Sequence, residues 1–113
     1  GLTASMINNY VKHAYLEKPL KKKYNRQQVA RLIAITSLKT VFSIQDIAAT
    51  LDMLNAETQS EELYNDFVDY MNGRKLEVTP IIASACQTLK LYQQTLAFIQ
   101  VPEKEADNDE LRA

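Results

Sequence analysis

Only five of the 113 residues are glycine or proline: Gly1, Pro19, Gly73, Pro80 and Pro102. A chain that turns often needs these residues, because glycine supplies left-handed backbone and proline fixes φ. Here they stand far apart, and between them the apolar side chains recur at helical spacing. No stretch keeps the period-two alternation of a strand. The sequence therefore predicts an all-α, five-helix domain, long enough for one modest core.

The boundaries follow from capping residues. Thr3 is placed to cap a first helix reaching about Lys12, with Ile7, Tyr10 and Val11 inward. Residues 14–24 carry Pro19 and no helical stripe, which predicts a loop or short hairpin. Asn25 and Gln28 have the spacing of a capping box and open a second helix to about Thr40. That helix is apolar around more than half its circumference (Val29, Leu32, Ile33, Ile35, Leu38), so it is expected to be central. Ser43 opens a third helix through about Leu54, with Asn55 at its end. Thr58 or Ser60 opens a fourth, which Gly73 stops. Thr79 and Pro80 start a fifth that should reach about Gln100. Residues 102–113 are acidic with few apolar side chains and predict a disordered tail.

On the fifth helix Ile82, Ala85, Leu89, Tyr92, Leu96 and Ile99 form a heptad seam. Either the seam packs on its own domain, or it meets a second copy antiparallel while Ile81, Cys86 and Leu91 serve the core.

The net charge of −1 conceals a polarity. Residues 1–45 hold eight basic side chains and one acid, Glu17; residues 46–113 hold five basic and thirteen acidic. One end suits a polyanion and the other repels it. The basic end has a definite chemistry. Asn8, Asn9 and Lys12 project from the first helix with Ser5, and His13 ends it. An Asn amide can pair twice with the adenine edge in the major groove, and Lys reaches guanine or phosphate. Lys21, Lys22, Lys23 and Arg26 would then hold the flanking phosphates, with the Tyr24 hydroxyl adding a hydrogen bond. The plainer account of the same residues is a solvated lysine turn, idle surface amides and a histidine favourable to the helix dipole.

Residues 2–54 resemble the DNA-binding region of the MerR transcription regulators. In that family a Ser-x-x-Thr-Ile-Arg-Tyr-Tyr recognition helix precedes a Gly-Leu-Leu-x-Pro wing, a helix beginning Tyr-Ser-x-x-x-Leu and an element reading Phe-Ser-Leu-x-x-Ile. The counterparts here are Thr3–Tyr10, Ala14–Pro19, Tyr24–Val29 and Phe42–Ile47. The lysine-tyrosine wing is also similar to that of a set of uncharacterised bacterial proteins grouped only as a domain of unknown function. The family's Arg-Tyr pair is Asn8-Asn9 here, and the helix that braces its reader has no counterpart. The chain opens on Gly1, as expected of a sequence whose functional unit starts upstream. The resemblance implies a MerR-like, partial helix-turn-helix with a short basic wing over residues 1–54. Residues 55–101 would then be a helical region for packing and dimerisation, and the partner double-stranded DNA.

An enzyme is not expected. The chain has one histidine, one cysteine, no clustered metal ligands and no phosphate loop. Cys86 lies in an apolar run and should be buried and inert. No cofactor is implied. The acidic face Glu62, Asp66 and Asp69 is expected to be solvated. No apolar run spans a bilayer, and a lone cysteine fits a reducing compartment, so the expected location is the cytoplasm. A sequence-specific transcription regulator is thus expected. The alternative is a non-enzymatic helical protein-interaction module with a basic and an acidic end, which would associate head to tail or offer the acidic residues 57–70 to a basic partner.

Overall fold

In a computed structural model the chain forms five α-helices: α1 (Ala4–Lys12), α2 (Arg26–Leu38), α3 (Ile44–Glu57), α4 (Ser60–Met71) and α5 (Pro80–Arg112). The structure describes the backbone of residues 2–112 and the side chains of residues 2–100. No β-sheet occurs among the described residues; Leu20 and Lys23 form an isolated antiparallel bridge.

Three helices start on side-chain caps. Thr3 Oγ1 accepts from the Met6 N–H at 3.1 Å, and Ser43 Oγ from the Asp46 N–H at 3.1 Å. Asn25 Oδ1 accepts from the Gln28 N–H while Gln28 Oε1 accepts from the Asn25 N–H, both at 2.8 Å. These bonds satisfy donors that a helix start leaves orphaned. At α4 the cap expected from Thr58 or Ser60 does not form. α3 runs past Leu54 and Asn55 to Glu57, so Thr58 becomes its C-cap, and Gln59 begins α4 without a side-chain bond. The Ser60 hydroxyl donates instead to Asn55 Oδ1 at 3.2 Å.

α2 is the central helix and packs on α3, α4 and α5. Ala34, Ile35 and Leu38 are its buried apolar residues, with Ile47, Leu51, Leu54, Leu63 and Tyr64 around them. Each of the leucine and isoleucine side chains among these contributes roughly 1.5–3 kcal/mol when fully buried. The neighbours cover one side only: Val29 and Ile33 remain 44% and 54% exposed, although the pattern puts them inward. α1 joins the core through Tyr10, with Leu16 following in the connecting segment.

The seam on α5 divides. Ile82 and Leu89 are buried against the domain, with Cys86 fully enclosed between them. Ile81 and Leu91, the residues offered for the core, are 39% and 62% exposed. Tyr92 and Ile99 lie beyond the packed region and are exposed, with Leu96 half-buried. The helix continues past Gln100 and through Pro102 to Arg112. The segment 102–113, expected to be a disordered tail, has its side chains outside the described residues.

Two helices end in the same way, on different residues. After α4, Gly73 has φ +73°, the Arg74 N–H donates to the Asp69 carbonyl at 2.8 Å and the Gly73 N–H to Tyr70 O at 3.2 Å. After α1, Ala14 has φ +60°, the Tyr15 N–H donates to Tyr10 O at 2.8 Å and the Ala14 N–H to Val11 O at 3.1 Å. Both are Schellman endings, which favour glycine at the left-handed position. A Cβ at Gly73 would meet nothing within 4 Å, so only backbone conformation resists a side chain there. Gly73→Ala should therefore lose roughly 1 kcal/mol of stability and Ala14→Gly should gain a few tenths to about 1 kcal/mol. Chemical denaturation of the two variants checks both signs.

Candidate functional site: the basic end

The connecting segment 13–25 has no helix of its own to satisfy its backbone, and two α2 side chains do so. Gln28 is the one buried polar residue among the described residues. Its Nε2 donates to the carbonyls of Glu17 at 3.3 Å and Lys18 at 3.2 Å, while its Oε1 serves the cap. One amide thus starts α2 and fastens the segment before it. Arg31 stands one turn further on, with its side chain only 11% exposed. Its Nε donates to Tyr15 O at 2.7 Å, and its Nη2 reaches Asp52 Oδ1 on α3 at 2.9 Å. The segment is clamped at residues 15, 17 and 18, immediately before the lysines.

Lys21 and Lys22 form the tip of a two-residue turn closed by the Lys23 N–H on Leu20 O at 2.8 Å. Their φ values are +50° and +63°. Positive φ at both central positions is the pattern of a type I′ turn, which favours Asn-Gly and is unfavourable for side chains such as lysine. The wing is therefore a minimal hairpin. Lys21, Lys22, Lys23 and Arg26 are exposed, and no ion pair among the described residues neutralises them. Arg26 opens α2, whose first turn holds no acid. Cations at a helix N-terminus oppose the dipole.

Ser5, Asn8, Asn9 and Lys12 line one shallow, solvent-exposed depression on α1, together with Met6. His13 is the C-cap of α1, and its ring stacks on Tyr15 with centroids 5.7 Å apart. Tyr24 is half-buried and packs against the core, so its ring anchors the turn. Tyr10 is buried, and Lys39 Nζ lies 3.3 Å from its hydroxyl. Sequence spacing shows Gln28 only as a cap and leaves Arg31 unassigned. Their long-range acceptors are backbone carbonyls, which carry no residue signature.

The acidic face of α4 is partly neutralised within the chain. Lys75 Nζ lies 2.6 Å from Asp66 Oδ1, and Arg74 Nε lies 3.5 Å from Asp69 Oδ1. The hydrogen bond to Asp66 is the main cause that raises the Lys75 pKa. No group of His, Cys, Asp and Glu fit to hold a metal occurs among the described residues. Burial pushes the Cys86 thiol up to about 11, partly opposed by Lys90, and its Sγ lies 3.9 Å from Phe67 O.

These features define a small all-α domain with an unneutralised basic end on a clamped segment. Residues 1–67 match the profile of the family described as Domain of unknown function (DUF1836), and the chain belongs to that family. The matched region includes α1, the clamp, the lysine turn, α2 and α3, and ends within α4. No curated protein and no solved structure matches the chain.

Gln28→Glu keeps the cap acceptor but sets an oxygen against two carbonyls, so stability at pH 7 should fall by about 2–3 kcal/mol. A protonated carboxyl restores one donor, so the deficit relative to wild type should shrink when urea melts are repeated near pH 4. For Cys86 the folded pKa is raised above the ordinary 9.0, so the thiol's contribution is complete below about 9. It is lost as pH rises from there through about 11. Alkylation by iodoacetamide at pH 8 should be far slower than for a free thiol and should accelerate with denaturant.

Proposed function

We propose that the chain is a non-enzymatic helical interaction module that engages a polyanionic partner through its basic end. The supporting observation is the construction of the lysine turn. Lys21 and Lys22 occupy left-handed backbone, their charges adjoin one another and Lys23, and Arg26 faces a helix dipole of the same sign. Each feature works against stability. Backbone strain kept at an exposed, clamped position fits a binding role better than a solvated turn, which asparagine and glycine would form at lower energy. The acidic second half keeps such a partner at the basic end and directs its approach.

A second reading specifies the partner as double-stranded DNA and the role as sequence-specific, MerR-like transcription regulation in the cytoplasm. The exposed amide-bearing edge of α1 favours it, since Asn8, Asn9 and Lys12 lie together directly before the lysine segment. A helix-turn-helix braces its reader with a preceding helix. Among the described residues α1 is held instead by Tyr10 and by the clamped segment. Within this reading the α5 seam would serve a homodimer. No described helix is long and apolar enough to cross a membrane.

The experiment is a fluorescence-anisotropy titration against polyglutamate, random duplexes and a genomic fragment library over a range of salt. Lys21→Asn with Lys22→Gly should raise stability by about 1–2 kcal/mol while weakening binding to every polyanion. Changing all three lysines to Ala should flatten the duplex salt slope by roughly 0.9 per lost phosphate contact. Wild-type binding in the triple variant would reject the basic-end role. Asn8→Ala should cost roughly 1–3 kcal/mol on a preferred sequence only. Sequence-indifferent binding would remove the DNA reading and leave the module.

A further inference from the structure

The α2–α5 bundle leaves an apolar crevice of about 190 Å³ that opens to solvent. Its inner wall is core: Leu38, Leu51, Leu54 and Leu63. Three aromatic residues, Phe42, Tyr64 and Phe67, also line it. Besides Tyr64, the residues with polar side chains in the lining are Asp46, Thr50 and Ser84. None of the residues of the basic end lines this crevice, so its role does not depend on the function proposed above.

Asp46 is the group that selects an occupant. It lies in the first turn of α3, where an acid suits the dipole, but Ser43 already caps that helix. Asp46 is exposed, and no ion pair among the described residues involves it. A carboxylate beside an aromatic-lined apolar crevice attracts a cation twice, through its charge and through the ring faces. Size sets the rest. An engineered apolar cavity of roughly 150 Å³ takes benzene. A crevice of about 190 Å³ therefore has room for one ring and a short arm. Apolar walls with a few convergent polar groups are the usual make-up of a small-molecule site.

We propose that this crevice binds a small organic cation, a single apolar ring carrying one ammonium group, with the ring among Phe42, Tyr64 and Phe67 and the ammonium at Asp46. Most of the crevice's lining comes from residues 46–85, within the half of the chain that carries the acidic excess, and a net negative field favours a cationic solute over an anionic one.

The test uses the whole isotope-labelled chain, followed by amide NMR at pH 7, with benzylamine, benzyl alcohol and benzoate as probes. Benzylamine should give saturable shifts at the amides of Thr50, Phe67 and Ser84, bind at least fivefold more tightly than benzyl alcohol, and leave benzoate weakest. Asp46→Asn should abolish the preference for the amine and leave benzyl alcohol binding unchanged. Ala85→Leu, which narrows the crevice, should weaken both. Should that variant fail to fold, the surface change at Asp46 still decides. Equal binding of the amine and the alcohol would overturn the proposal, as would shifts that never saturate. Crevice amides that shift with protein concentration alone would also overturn it, since a second copy would then be filling the space.

Discussion

The side-chain amide of Gln28 holds the two parts of the basic end in place. A segment without regular structure must still satisfy its carbonyls, and those it buries need donors. Gln28 gives both its N–H groups to the carbonyls of Glu17 and Lys18 and uses its oxygen to cap α2. Arg31 repeats the device at Tyr15 and ties it to α3 through Asp52. Two successive turns of one helix therefore fix where α1 is released and where the lysine turn starts. The turn is short and lies between the fixed carbonyl of Lys18 and the cap at Asn25, so its direction is set by the clamp.

Local order was legible wherever one residue decides it. Thr3, Asn25 with Gln28, and Ser43 are caps because a short polar side chain precedes a helical stripe, and Gly73 ends α4 for want of a Cβ penalty. Fold class was legible too, since the spacing excludes a sheet. What escaped was set by neighbours. Val29 and Ile33 have the same apolar character as Ile35, and only the positions of α3, α4 and α5 leave them outside. The capless start of α4 depends on how far α3 runs. At the candidate site, the exposed edge Ser5, Asn8, Asn9 and Lys12 was legible from helical geometry, and the lysine triplet from charge. The positive φ values at Lys21 and Lys22, and the role of Arg31, were not. The first breaks the preference by which turns are recognised, and the second is a bond to a carbonyl that every residue possesses.

The basic end also shows how local rules divide the molecule. Ala14 and Gly73 occupy equivalent Schellman positions, one with the unfavourable residue and one with the favourable. The unfavourable residue stands on the side that leads to the lysines, and two more positive φ values follow within eight residues. All three described non-glycine residues with positive φ thus lie between α1 and α2. The rest of the described backbone keeps ordinary conformations, with caps on α1, α2 and α3 and acids in the first turn of α4. Strain is confined to the segment that the clamp restrains. That distribution is hard to reconcile with turns chosen for stability alone.

The α5 stripe shows what a heptad pattern leaves open. Spacing runs evenly from Ile82 to Ile99, but packing stops near Lys90, whose Nζ lies 3.4 Å from Tyr70 O and 5.7 Å from the Tyr70 ring centre. Gln87 bonds the hydroxyl of the same tyrosine at 2.7 Å, so Tyr70 marks the edge of the bundle. Past it, Leu91 and Phe98 occupy one side of the helix, while Tyr92, Leu96 and Ile99 occupy an adjacent one. Successive residues turn by about 100°, which makes this apolar face wider than the narrow seam of a two-stranded coil. A single partner helix docked on the heptad line would leave Leu91 and Phe98, at 62% and 73% exposure, uncovered. The heptad line therefore describes how α5 enters its own domain, through Ile82 and Leu89, and accounts for only part of what it presents beyond.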